Sequence, residues 1–254
     1  IVTLSYRGTL HPPIAERGGE IVPVDEMVRP RKNVIIYYCA SGGCQTHELG
    51  DKRCIKASRT DDDLRGWKAI GANLMVYDYS TTFTNTIWYY PYLKTLKNNL
   101  KKYKEYGVKG ILRQALHIEG RNFDTLFQQY LFSRVFWDID CDVEKLAEDF
   151  LEMYFSKELS PYVKEYFRIM ENAVYRSAED VFYNIHSAMY IEEGNLLFSE
   201  KVFTRNVLEK AVSVLKEGMK RIDGLDFDEA RKEKLRSKFS SVLVQPQMML
   251  LANY

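Results

Sequence analysis

Asp78 closes the apolar run Asn73-Leu74-Met75-Val76-Tyr77-Asp78 and sits between Tyr77 and Tyr79. A carboxylate at the end of such a run has to be solvated, paired or used. Used, it would stabilise an oxocarbenium-like transition state, act as a base or hydrogen-bond sugar hydroxyls, which makes Asp78 the candidate catalytic residue. As plain structure it would cap the turn into Ser80 and Thr81. Downstream, Trp88-Tyr89-Tyr90-Pro91-Tyr92 sets four aromatics around one proline. On a loop, such a cluster suits a ligand platform, so Trp88 and Tyr89 join Tyr79 as candidate substrate contacts. Two other apolar runs end in Tyr6-Arg7 and in Arg113-Gln114, with His117 and Glu119 a little further on. A guanidinium fork matches a carboxylate, so Arg113 is a candidate partner for a uronic acid.

Cys39, Cys44, His47 and Cys54 form a second group. They could be written as four zinc ligands, but the spacing x4, x2, x6 lacks the paired C-x2-C knuckles of usual fingers and ribbons. A disulfide joining two of these three cysteines fits better in an exported protein, and no metal or cofactor is expected. His47 is then read as a substrate contact on its loop, and Cys141 as a buried thiol.

These residues need elements to hold them. Ile1-Val2-Thr3-Leu4-Ser5-Tyr6 reads as a strand, followed by a polar connection with His11-Pro12-Pro13 and Arg29-Pro30. Asn33-Val34-Ile35-Ile36-Tyr37-Tyr38-Cys39 suits a buried parallel strand. A helical segment through Asp61 to Ile70 leads to the Asn73 strand. Leu93, Leu96, Leu100 and Tyr103 recur at helical spacing, with Gly107 placed as the C-terminal cap of that helix, before the strand Val108-Lys109-Gly110-Ile111-Leu112. Strand starts near 34, 73 and 108 lie 39 and 35 residues apart, the length of a strand-helix unit. The expectation is an α/β fold: residues 1–140 as the last four β/α units of a TIM-type (β/α)8 barrel, truncated on its N-terminal side. In such a barrel the strand ends form the mouth, which is why Tyr6, His47, Asp78, Tyr79, Arg113 and Gln114 are singled out. A chain that opens inside a sheet also reads as a fragment, with the rest of the barrel expected in cis.

From Asp142 the pattern is helical only, so residues 141–254 are expected to form an all-α domain. Asp142 caps one helix, Ser160-Pro161 opens another, Leu208 to Ile222 make a third stripe, and Asp226 with Glu229 start the last. The stretch Ala178 to Gly194 reads as a loop or a short helix.

Composition narrows the partners. With 36 Lys plus Arg against 35 Asp plus Glu, the net charge is +1, which gives no electrostatic footprint for nucleic acid or a membrane surface. No apolar run reaches the roughly 18 residues of a spanning helix. The surplus is aromatic, 18 Tyr, 13 Phe and 3 Trp, and such rings either fill a core or pack on the apolar faces of sugars.

The order and spacing of several motifs carry a resemblance over residues 1 to about 175. Thr3-Leu4-Ser5-Tyr6 with Pro12-Pro13, Asn33-Val34-Ile35-Ile36 leading to Cys39, the His47 loop, Gly66-Trp67 before the Asn73–Tyr79 strand, Asn98-Asn99-Leu100 with Tyr106-Gly107-Val108-Lys109-Gly110, and Tyr130-Leu131-Phe132 before Trp137-Asp138 are all part of it. Together they resemble a glycoside-hydrolase-like domain-of-unknown-function family of secreted bacterial polysaccharide-degrading proteins, itself similar to α-glucuronidases and β-hexosaminidases in architecture. The resemblance implies a (β/α)8 barrel followed by a helical domain, an oligo- or polysaccharide ligand, and an extracellular or periplasmic location. Arg113 departs from the family pattern, which often has Glu there. Two functions are therefore expected in competition: glycoside hydrolysis, or non-catalytic carbohydrate binding on a degenerate barrel.

Overall fold

The computed structural model describes residues 1–40, 43–79, 89, 91–114, 123–180 and 202–254. Its first compact unit holds a parallel sheet of β1 (Val2–Ser5), β4 (Ile35–Cys39), β5 (Asn73–Tyr79) and β6 (Val108–Gln114), in that order. A separate antiparallel hairpin, β2 (Ile14–Arg17) with β3 (Glu20–Pro23), fills the polar connection after β1. Helix α1 (Ile55–Ala69) links β4 to β5, and α2 (Leu93–Glu105) links β5 to β6.

The strand positions follow from alternation. In β5, Leu74, Val76 and Asp78 are buried while Asn73, Met75 and Tyr77 are half-buried, so the two faces of the sheet differ. Register carries the same faces across the sheet: Val2 pairs with Ile35, Tyr37 with Met75, Tyr77 with Leu112 and Asp78 with Arg113. One face thus presents Ile36, Tyr38, Leu74, Val76, Asp78 and Arg113. The other presents Leu4, Tyr37, Met75, Tyr77, Tyr79 and Gln114.

The Asp78 face is the one that the helices cover. Tyr38 donates to Asp63 of α1 at 3.0 Å, and His11 Nδ1 lies 2.7 Å from the same carboxylate. Trp67 of α1 donates its indole N–H to the Leu10 carbonyl. Next to it, Gly66 lets the hairpin connection approach the helix, since a Cβ there would fall 2.6 Å from Ile14 Cδ1 and 2.7 Å from Pro12 Cγ. The helix begins earlier than the periodicity implies, at Ile55, because Cys54 caps it by accepting the Ala57 N–H.

The second unit contains α3 (Phe123–Trp137), α4 (Val143–Phe155), α5 (Ser160–Asp180), α6 (Arg205–Arg221) and α7 (Glu229–Asn253). Helix α3 therefore groups with the helical unit and lies before the expected boundary at 140. Asp142 caps α4 through the Lys145 N–H, as its position before an apolar stripe implies. The last helix is capped by Asp228, which accepts from Arg231, and not by Asp226. The core of this unit is aromatic: Phe123 and Phe127 lie 5.9 Å apart between ring centroids, and each contacts Phe150 and Phe167 at 5.0 to 6.2 Å. No helix among the described residues is long and apolar enough to cross a membrane.

Candidate functional site at the strand ends

The C-terminal ends of β4, β5 and β6 bring several of the sequence candidates together, but on opposite faces. Asp78 is 2% exposed and has three donors. Arg113 Nη1 lies 3.0 Å from Oδ2, Gln45 Nε2 is 2.9 Å from Oδ1, and the Tyr79 N–H donates to Oδ1 at 2.8 Å. Arg113 closes the triangle by donating from Nη2 to Gln45 Oε1 at 3.2 Å. Gln45 is itself held by its backbone, whose carbonyl accepts the Thr95 hydroxyl of α2 at 2.6 Å. Tyr103 of α2 is buried nearby: desolvation and then the Asp78 charge push its hydroxyl well above the usual range, with Arg113 opposing. The Asp78–Arg113 pair therefore faces the helix layer and locks β5 to β6 and to the loop carrying Gln45.

This arrangement redirects Arg113. Its side chain is 6% exposed and engaged with Asp78 and Gln45, so the fork expected to meet a uronic acid is committed inside the protein. The pairing rests on the register Asp78↔Arg113, which a linear reading does not contain.

The other face carries tyrosines. Tyr77 packs between Tyr37 and Tyr79, with ring centroids 5.7 and 5.1 Å away, and donates its hydroxyl to Gln114 Oε1 at 2.5 Å. Desolvation raises the Tyr79 hydroxyl above its ordinary range, with smaller contributions from the charges of Cys39, Tyr77, Tyr6 and Asp78. Burial and the neighbouring Tyr77 and Cys39 likewise raise Tyr37. Tyr79 and Gln114, chosen from sequence as substrate contacts, thus meet at Tyr77, while Tyr6 follows β1, the strand beside β4. Tyr37 was missed, although period-2 alternation places it on the same face as Cys39 and, through register, Tyr77. Gln45 was missed as well, and no sequence signal marks it. Arg7, which follows β1, adopts a left-handed φ of 51° and stacks its guanidinium over Tyr6 at 5.3 Å.

The aromatic loop does not behave as expected where it is described. Tyr89 is fully buried against Phe167 and Phe203, and Tyr92 is fully buried with its hydroxyl on Asp124 at 3.1 Å. Both belong to the core of the helical unit, because a ring that finds aromatic neighbours gains more from burial than from exposure on a loop. Trp88, Tyr90, Ser80, Thr81, His117, Glu119 and residues 181–201 lie outside the described residues.

His47 also departs from its expected place. It is 7% exposed, and its Nδ1 lies 3.2 Å from Cys44 Sγ. No disulfide joins the four cysteines, contrary to the expectation for Cys39, Cys44 and Cys54. Cys44, His47 and Cys54 instead gather, with one ligand atom from each, all within 4.8 Å of one another.

A family defined as a domain of unknown function, DUF4838, matches residues 1–168 of the 254. The chain belongs to DUF4838. The DUF4838 match contains the whole parallel sheet, the Asp78–Arg113 pair, the tyrosine cluster and the Cys44–His47–Cys54 group, and it ends inside α5. The domain-of-unknown-function resemblance carried by the motifs therefore holds, over a span slightly shorter than expected. No curated protein and no solved structure matches this DUF4838 chain.

Proposed function

We propose that this chain is the C-terminal half of a glycoside-hydrolase-like (β/α)8 barrel with a helical domain, from an exported protein that acts on or binds oligo- or polysaccharide, and that its own part is to bind the sugar. The observation that carries this reading is the Tyr37–Tyr77–Tyr79 cluster, with Gln114 bonded to Tyr77, at the C-terminal ends of parallel strands. Tyrosines offer ring faces for a pyranose and hydroxyls for its edges, and strand ends are where such barrels bind ligands. The half-barrel reading is supported by the sheet's exposure. Parallel sheets are ordinarily covered on both faces, yet Leu4 is 56% exposed and Leu112 44% exposed on the tyrosine face.

Binding is favoured over acid–base chemistry at Asp78 because that carboxylate is already neutralised by Arg113. Hydrolysis needs two carboxylates about 5 to 10 Å apart across a cleft, and Asp78 faces the helices. Calorimetric titration of the chain with a panel of uronic-acid and hexosaminide oligosaccharides should give saturable binding that Tyr77→Ala weakens by about tenfold, the loss of one ring contact. Absence of binding across the panel would sink the carbohydrate assignment. Turnover on the same panel that is abolished in a folded Asp78→Asn variant would return Asp78 to the chemistry and favour the hydrolase.

A further inference from the structure

Between Gly43 and Cys54 the chain connects β4 to the start of α1, and it places two sulfurs and one imidazole together in the interior. Cys44, His47 and Cys54 are 2%, 7% and 0% exposed, and their ligand atoms lie within 4.8 Å of one another. Two features of this group concern the sulfurs as acceptors. The His47 N–H points at Cys44 Sγ at 3.3 Å, and the Ala57 N–H points at Cys54 Sγ at 3.4 Å. Amides aimed at a sulfur from the next residues along the chain stabilise a thiolate far more than a thiol. Cys54 has in addition the N-terminus of the fifteen-residue helix α1, whose dipole favours negative charge there.

We propose that Cys44, His47 and Cys54 form a binding site for a zinc-type divalent cation, bound by two thiolate sulfurs and the His47 Nδ1. Tetrahedral zinc takes sulfur at about 2.3 Å and imidazole nitrogen at about 2.0 Å, so its ligand atoms stand roughly 3.5 to 4 Å apart, close to the spacing already present. On binding, both thiols release their protons to solvent as the two sulfur–metal bonds form. The imidazole gives its Nδ1 lone pair to the ion, with the ring proton on Nε2. A water or an exogenous anion would complete the tetrahedron. Imidazole and thiolate together select zinc and its neighbours over magnesium or calcium, which take oxygen.

The ion would have a use at the strand ends. Gln45 lies between the ligands Cys44 and His47 and bonds both Asp78 and Arg113. Fixing the loop on both sides of Gln45 fixes its amide against the ion pair.

The test uses the reduced full chain. Titration with cobalt(II) should produce the near-ultraviolet sulfur-to-metal absorption at about one ion per chain, zinc should displace it, and elemental analysis after zinc loading and gel filtration should find about one zinc. Cys44→Ser and Cys54→Ser should lose the band, and His47→Gln should weaken binding. If these variants fail to fold, the cobalt spectrum of the unaltered chain still decides. Absence of the thiolate band in that chain would overturn the site. So would a peptide map of the untreated protein showing Cys44 and Cys54 joined in a disulfide.

Discussion

Asp78 shows how a residue's chemistry is set by its face and its neighbours. A lone carboxylate closing an apolar run invites a catalytic reading, whereas here it is one side of a buried pair with Arg113. Such a pair contributes little net stability against an apolar substitute, but stranding one member is costly. Asp78→Ala should therefore destabilise the chain by about 3 to 5 kcal/mol, because the buried Arg113 guanidinium loses the carboxylate that pairs its charge. Removing both charges, in Asp78→Leu with Arg113→Met, should restore most of that loss. Urea midpoints of the two variants check this, and equal midpoints would mean that the pair is not the source of the effect. Alternation does make the opposition of Asp78 to Tyr77 and Tyr79 legible in the sequence. That Arg113 is its partner, and that Gln45 reaches both, follows only from strand register and a loop 33 residues away.

At the level of elements, most of the architecture was legible because local periodicity and capping set it. The four parallel strands, helix α2 and the Asp142 start of α4 follow from alternation, a 3.6-residue stripe and an N-cap. Less legible were contacts that depend on close approach. Gly218 lies inside α6, where propensity alone favours alanine by about 0.8 to 1 kcal/mol. A Cβ at that position, however, would fall 2.6 Å from Phe239 Cε1 on α7 and 2.8 Å from Tyr162 Cβ on α5. Overpacking of this kind costs typically about 1 to 3 kcal/mol, so the clash wins and Gly218→Ala should lower the thermal midpoint. A raised midpoint would mean that the three helices do not meet there. The same logic separates the aromatics: Tyr89 and Tyr92 read as loop residues beside a proline, but packing against Phe203 and Phe132 makes them core.

For the molecule as a whole, one buried acid ties stability to pH. Asp124 is 6% exposed and accepts from Tyr92 and Gln128, each at 3.1 Å. Burial nevertheless dominates and raises its pKa from 3.8 to about 7. The folded chain then holds a proton that the unfolded chain has released. Its contribution is whole below pH 3.8 and is lost as the pH rises to about 7, with a slope of at most about 1.4 kcal/mol per pH unit. Urea midpoints of the wild type, compared between pH 5 and pH 7, should therefore fall more steeply than those of Asp124→Asn. Parallel curves would remove Asp124 as the cause. By itself, the sequence determined the parallel strands, most helices, their order and the family motifs, because these depend on neighbours within a few turns of chain, whereas the β2–β3 hairpin lies in what reads as a polar connection. Tertiary structure alone decided which strand-end groups are paired inside and which stand with the tyrosines. It also decided that residues 44, 47 and 54 meet, since those relations arise from register and from loop closure between distant segments.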